Sequence, residues 1–140
     1  MGANDFDEVY RFIVRPLAKN DPRSSGYLND AYNLGFEQVA EIACYELYFI
    51  RGQLSAVQMQ QLADQILHDP VTQTVEAAVL KAPEGGRADS QKVCPGGEII
   101  EVALRPGVTD PAAEQILRAA KLINIHSINA ASTGQRFVVS

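Results

Sequence analysis

The apolar and polar positions of this 140-residue chain follow one order twice. Residues 9–16 and 99–104 are short runs rich in β-branched side chains, which is typical of strands. After each run, an Asp-Pro pair precedes apolar residues at helical spacing, and a second β-forming stretch follows. The Asp-Pro pairs, at residues 21–22 and 110–111, lie 89 positions apart (110 minus 21). This pattern predicts a duplicated unit, in which one copy normally needs the other to cover its apolar face.

The first unit is predicted to follow the order β-α-β-α-β. Its first helix has Ser24 or Ser25 as candidate N-caps, and Gly35 is placed to end it. The β-forming stretch that follows, residues 36–51, is longer than the about five or six residues that are typical of a strand. A bend or bulge is therefore predicted near Cys44.

The clearest helical pattern comes next in the first unit. Ser55 and Gln58 have the spacing of a capping box, in which each residue satisfies a backbone N–H of the other. Apolar residues then recur along one helical face from Met59 to Leu67. An Asp-Pro pair ends this helix, and a strand over residues 71–80 is predicted to close the unit.

The second unit repeats only the first part of this order. Asp110 is the candidate N-cap of a helix with Pro111 at its first position, an arrangement that proline favours. An apolar stripe begins at Ile116. A pair of strands is predicted over residues 125–139, with Gly134 marking a bulge or tight turn between them.

These elements divide the chain into a first unit over residues 8–80, a linker over 81–97 and a second unit over 98–140. The linker is polar, contains glycine pairs and has no hydrophobic period. The second unit lacks counterparts of residues 52–80, so the strand that ends in Phe137-Val138-Val139 is expected to lack a covering helix and to expose apolar side chains. Such an edge favours pairing with another chain or with a continuation of this one.

Charge and composition narrow the classes of function. The net charge is −5 and the isoelectric point is near 4.9, and no basic stripe is present, which disfavours nucleic-acid binding. No apolar run approaches the roughly 18 residues of a membrane helix. The first residues also lack the features of a signal peptide. A cytoplasmic protein with no membrane partner is therefore expected.

The chain has few residues suited to metal binding or nucleophilic catalysis. Cys44 and Cys94 are its cysteines and His68 and His126 its histidines, whereas a zinc site needs about four ligands at suitable spacing. Reduced, structural thiols are expected. His68 beside Asp69 permits a catalytic dyad, but the lack of a recognisable nucleophile favours a cation at a helix end.

The Arg-Pro and Asp-Pro pairs form the motif that both units share. Arginines at strand ends, followed by a helix N-terminus, are suited to contact a phosphate, a carboxylate or a protein partner. The candidate interface or anion-contact residues are Arg15, Asp21, Arg105, Asp110 and Arg136. The alternative interpretation is structural, with proline ending a strand, aspartate capping a helix and arginine in solvent. No catalytic, metal-binding or cofactor-binding residue is predicted.

The same motifs resemble a known family. Residues 101–111 (EVALRPGVTDP), the amphipathic helix after them and residues 134–139 (GQRFVV) resemble the small PurS subunit of phosphoribosylformylglycinamidine (FGAM) synthase. Residues 47–55 (LYFIRGQLS) and 69–73 (DPVTQ) resemble the PurS-like N-terminal domain of larger forms of this synthase.

The resemblance implies an α+β, ferredoxin-like fold, with an antiparallel sheet and helices packed on one face. Two tandem modules would form a pseudo-dimer, and the protein would be part of a homo-oligomer or a pseudo-dimer. It would serve as a non-catalytic bridge between the ATP-dependent synthetase and the glutaminase in purine biosynthesis. ATP and magnesium would bind the partner synthetase rather than this chain.

Two alternatives remain open from the sequence. A ferredoxin-like regulatory module that senses a small molecule also pairs strands and binds its ligand between copies. A stand-alone enzyme would depend on His68 and Asp69.

Overall fold

A computed structural model describes residues 7–18, 21–80, 97–104 and 108–140. These residues form an antiparallel sheet of five strands and three α-helices. The strands are β1 (Glu8–Pro16), β2 (Ile42–Gly52), β3 (Gln73–Leu80), β4 (Glu98–Ala103) and β5 (Ile128–Val139). The helices are α1 (Pro22–Asn33), α2 (Ala56–Leu62) and α3 (Pro111–Leu122), and a π-helical turn, Ala63–Leu67, extends α2.

The strand order in the sheet is β3-β1-β2-β5-β4, so β2 lies at the centre between β1 and β5, and β3 and β4 form the edges. All four pairings are antiparallel. The α+β class and the antiparallel sheet are therefore confirmed. The predicted linker over 81–97 lies outside the described residues except for Gly97, and so does Cys94.

Helix α1 begins at Asp21-Pro22, so the prediction of a cap at Ser24 or Ser25 was wrong. The Asp21 carboxylate accepts a hydrogen bond from the Arg23 backbone N–H at 3.2 Å, and Pro22 occupies the first turn. Both serines therefore lie inside the helix. The first N–H groups of a helix have no partner within the helix, so proline, which lacks an N–H, loses no hydrogen bond there. An aspartate followed by proline is therefore a stronger signal for a helix start than a serine inside the sequence of the helix.

The two Asp-Pro helices are built alike at both ends. Each has 12 residues and an aspartate N-cap. Two residues beyond the end of each helix lies a residue with positive φ, which is Gly35 at +94° after the first and Asn124 at +62° after the second. The next backbone N–H then bonds back to a carbonyl five residues earlier, at 2.9 Å in both cases. This arrangement satisfies the last carbonyls of a helix, and its elements recur at the interval of 89 residues seen in the sequence.

Helix α2 has the predicted capping box. The Gln58 N–H donates to Ser55 Oγ at 3.1 Å, and the Ser55 N–H donates to Gln58 Oε1 at 3.0 Å. After the π-helical turn, Asp69 accepts hydrogen bonds from the next residues. The hydrogen-bonded turn at Asp69 delays the start of β3 to Gln73, two residues beyond the predicted start of the strand.

Strand β2 is unbroken, so the predicted bend near Cys44 was wrong. Its residues pair one to one with β5 from Ile42 to Arg51, and the only irregularity between them lies at Arg51/Gly52. The predicted strand pair over 125–139 is likewise the single strand β5. Gly134 therefore does not form the predicted bulge or turn. A Cβ at this position would clash with the Val102 carbonyl oxygen, from which it would lie only 2.6 Å. Glycine thus permits the close approach of β4.

One core is shared by both predicted units. Phe12 and Ile50 on the sheet pack with Leu62 from α2 and with Ile116 and Ala120 from α3. Helix α1 lies on the same face, where the Tyr27 ring meets the Phe137 ring edge to face at 4.9 Å. In the described part of the chain, the three α-helices thus pack on one face of the sheet, as predicted.

None of the helices within the described ranges is long and apolar enough to cross a membrane.

Candidate functional site

The Asp110 carboxylate joins helix α3 to strand β5. It caps the helix by accepting the Ala113 N–H at 3.0 Å. It also accepts the Thr133 N–H at 2.8 Å and the Thr133 hydroxyl at 3.0 Å. Burial opposes ionisation of this group, but these hydrogen bonds outweigh burial and lower the pKa of Asp110. Asp110 is therefore tightly held as a structural anion.

Asp21, the equivalent residue of the first unit, belongs to a different network. Its Oδ2 lies 3.3 Å from Arg23 Nε, and Arg23 Nη1 lies 2.8 Å from Glu46 Oε1 on β2. The Tyr48 hydroxyl donates to the other oxygen of Glu46 at 2.6 Å. Burial, together with the neighbouring Glu46 carboxylate, raises the pKa of Tyr48. The network fixes the start of α1 over the centre of the sheet.

Sequence reasoning missed three members of this network, namely Arg23, Glu46 and Tyr48. The available signal was Glu46, a charged residue inside an otherwise apolar and aromatic strand. A charge at a half-buried strand position requires a partner. The partner could not be named without the position of α1.

The Cys44 thiol is buried next to this network. Burial raises the pKa of Cys44 despite the opposing effect of the Arg23 guanidinium. Since the thiolate is the reactive form of cysteine, this thiol is suited to packing rather than to nucleophilic chemistry.

Arg15 and Arg136 lie on the sheet face opposite the helices, on either side of Tyr45. Arg15 stacks on the Tyr45 ring at 5.2 Å and forms an ion pair of 3.0 Å with Glu76 on β3. Arg136 pairs in register with Tyr45 and binds Glu101 on β4, with Nε 2.8 Å from the carboxylate. Each arginine thus has a carboxylate partner from an edge strand.

The structure therefore brings together only some of the predicted contact residues. Arg15 and Arg136 share one face, whereas Asp21 and Asp110 cap helices on the other. Arg105 lies outside the described residues.

His68 and Asp69 have separate partners. His68 follows the π-helical turn, and its Nδ1 lies 2.6 Å from the Ala63 carbonyl oxygen. The Asp69 carboxylate accepts the Val71 N–H at 2.9 Å and the Thr72 hydroxyl at 3.1 Å. Among the described residues, no group of three or more histidines, cysteines, aspartates or glutamates could hold a metal ion.

A cleft of about 330 Å³ opens on the helix side of the sheet. Its walls come from β2, β5 and β4, and the N-terminal end of α3 closes one side. Its lining combines apolar side chains of β4 with polar groups near the centre of the sheet, and includes Glu46, Tyr48, Val102, Leu104, Thr133 and Gln135. Such a volume is at the lower end of the range that holds small molecules.

Comparison with known proteins gives a similarity in structure but none in sequence family. No model of a protein family matches the chain, and no curated protein matches it. Among solved structures, the chain is similar to Methanocaldococcus jannaschii PurS, one of the subunits of formylglycinamide ribonucleotide amidotransferase in the purine biosynthetic pathway. The two are 19% identical, with a TM-score of 0.45, over 54% of this chain and 99% of the PurS chain.

Proposed function

We propose that this chain is a non-catalytic bridging component of FGAM synthase, in which two PurS-like units form a pseudo-dimer within one polypeptide. The observation that carries the proposal is the register of β2 against β5. Glu46 of β2 lies opposite Gln135 of β5. These two residues are 89 positions apart (135 minus 46), which is also the interval between the two Asp-Pro helix caps.

The agreement between this register and the interval of the helix caps supports a two-fold relation between the units. An axis through the Glu46 and Gln135 pair, perpendicular to the sheet, exchanges β2 with β5 and α1 with α3. The same axis brings β1 and β4 to corresponding places beside the central strands. A contact in which each copy offers the same surface to the other is the usual form of a symmetric dimer.

The partners of the charged motif residues support a structural role. Asp21 and Asp110 cap helices, and Arg15 and Arg136 form ion pairs with glutamates. Groups held in this way are suited to fix the shape of a module. Catalysis, ATP and magnesium are assigned to the partner synthetase, and glutamine hydrolysis to the glutaminase.

The test measures FGAM formation by synthetase and glutaminase subunits that lack a PurS component, with and without this chain. We expect glutamine-dependent turnover to require the chain, because ammonia must pass between the two partners. Ammonia-dependent turnover is expected to remain unchanged. Equal glutamine-dependent rates with and without the chain would reject the bridging role.

The cleft favours a second candidate, a module that senses a small molecule. It lies at the junction of the two units and combines a carboxylate, an amide and apolar walls. A metabolite that binds there would raise the melting temperature of the wild-type chain but not of Gln135→Leu. If no nucleotide or amino acid in a panel shifts the melting temperature, this candidate is rejected without affecting the bridging test.

A further inference from the structure

Arginine and aromatic side chains are concentrated on the sheet face opposite the helices. Residues two apart along a strand share a face, so this face carries four of the eight arginines of the chain, namely Arg11, Arg15, Arg51 and Arg136. Tyr45 lies opposite Arg15 and Phe49 opposite Arg11. The described strands contain no lysine. Arginine and aromatic residues are enriched in protein interfaces and lysine is depleted, so this face has the composition of an interface.

The charge of this face is opposite in sign to that of the chain. Its charged strand residues are the four arginines together with Glu76 and Glu101, which gives +2 (four minus two). The whole chain has a net charge of −5. Salt screens exposed charges beyond about 10 Å at 0.1 M ionic strength. A partner in contact with this face therefore experiences its local positive charge more strongly than the charge of the whole chain.

Two of the four arginines have no acidic partner among the described residues. Arg15 and Arg136 form ion pairs with glutamates, whereas Arg11 and Arg51 form none. The Nε of Arg11 is buried and donates no hydrogen bond to a described residue, and Arg51 is exposed. Arg51 lies two residues beyond Phe49, the residue opposite Arg11. Such diagonal neighbours are about 7–8 Å apart, so one acidic surface can contact both guanidinium groups.

We propose that this sheet face docks an acidic surface of a partner protein, whose carboxylates are bound by Arg11 and Arg51. A guanidinium group matches a carboxylate through two parallel N–H···O hydrogen bonds. The Phe49 ring, which lies opposite Arg11, adds an apolar contact beside these charges. The inference rests on the proposed function, in which the partner is the synthetase or the glutaminase subunit.

The extent of the face favours a protein over a small anion. Arg51 and Tyr45 are six residues apart on β2, and a strand rises about 3.3 Å per residue, so the face is about 20 Å long. A single phosphate or carboxylate contacts only part of this length.

A nucleic acid suits the face less well than a protein. Its phosphates continue beyond the face, where they would meet the negative charge of the remaining chain. Recognition of single-stranded RNA on a sheet also uses aromatic rings on which bases stack. The Tyr45 ring is already stacked by Arg15 at 5.2 Å.

The test measures the Kd of the chain for the synthetase and for the glutaminase subunit by fluorescence titration, at low and at high salt. We expect the chain to bind at least one subunit, and to bind it more weakly at high salt. Arg11→Glu with Arg51→Glu should raise that Kd by more than about a hundredfold, because like charges would then oppose each other. Arg11→Gln with Arg51→Gln only removes the charges and should raise the Kd by about tenfold.

Arg118→Glu with Lys121→Glu is the matched control. Both residues are exposed on α3, and their replacement changes the net charge by the same amount, so the Kd should not change. Circular dichroism and the melting temperature check that each variant is folded. If the glutamate variant does not fold, the glutamine variant decides the test. A higher concentration of the glutamine variant should restore glutamine-dependent FGAM formation, because only docking is weakened.

The outcomes separate this inference from the bridging role. Arginine variants that bind both subunits as tightly as the wild type would overturn the docking surface while the bridging role stands. An equal effect of the α3 control would also overturn it, because net charge alone would then set the affinity. A wild-type chain that binds neither subunit would reject the bridging role and this surface together. Binding of a single-stranded RNA oligonucleotide that depends on Arg11 and Arg51 would replace the protein partner with a nucleic acid.

Discussion

Removing the Asp110 carboxylate should destabilise the protein more than removing Asp21, although both residues cap 12-residue helices. An aspartate N-cap is worth about 1 kcal/mol relative to alanine. Asp21 adds an ion pair with a partly exposed Arg23, for which about 0–1 kcal/mol is typical. We therefore expect Asp21→Ala to cost about 1–2 kcal/mol.

Asp110 has the same cap and, in addition, holds β5 through the N–H and hydroxyl of Thr133. Hydrogen bonds to a charged group contribute about 1.5–3 kcal/mol. Asp110→Ala should accordingly cost about 2.5–4 kcal/mol. Urea unfolding at pH 7 measures both values, and the slope against urea concentration shows whether the unfolded state has changed.

The pH dependence provides a second measure of the same contacts. The pKa of Asp110 is lowered in the folded state, so its contribution is complete above the unfolded pKa of about 3.9. It is lost as the pH falls through the lower folded pKa. The difference in unfolding free energy between wild type and Asp110→Asn should therefore shrink toward pH 2. Equal losses of stability in Asp21→Ala and Asp110→Ala would refute this reasoning. So would a difference in unfolding free energy between wild type and Asp110→Asn that grows as the pH falls.

Three further predictions concern the sheet and its network. Gly134→Ala should separate β4 from β5 because its methyl group would clash with the Val102 carbonyl oxygen. Hydrogen exchange of the β4 amides should then accelerate, while that of the β1 amides stays unchanged. In an absorbance titration, Tyr48 should ionise well above the exposed tyrosines because its pKa is raised, and Tyr48→Phe should remove only this late step. In a Cys94→Ser background, Cys44 should react with a thiol reagent at least about tenfold more slowly in the folded than in the urea-unfolded protein, since its thiol is buried; equal rates would contradict the burial.

The parts of the fold that could be predicted are those set by local chemistry. Asp110 with Pro111 and Ser55 with Gln58 define helix starts through hydrogen bonds within four residues. The start of α1 follows the same rule at Asp21 and Pro22, and the predicted caps Ser24 and Ser25 lie inside the helix.

The parts that could not be predicted depend on strands far apart in sequence. A β2 of 11 residues is stable without a bend because β5 offers 12 residues to pair with it. Likewise, the partners of the candidate arginines follow from register. Arg15 meets Glu76 because β3 pairs with β1, and Arg136 meets Glu101 because β4 pairs with β5. No local pattern encodes these contacts.

The central pairing of β2 with β5 has a consequence for how the chain folds. Its paired residues are between 76 and 97 positions apart (128 minus 52 and 139 minus 42). Closing such long loops costs entropy before any contact forms, which slows folding. Until β5 arrives, β2 presents an 11-residue strand edge to other nascent chains, and such an edge promotes aggregation. The pairing of β2 with β5 is therefore the folding step that is most sensitive to protein concentration and most dependent on a chaperone.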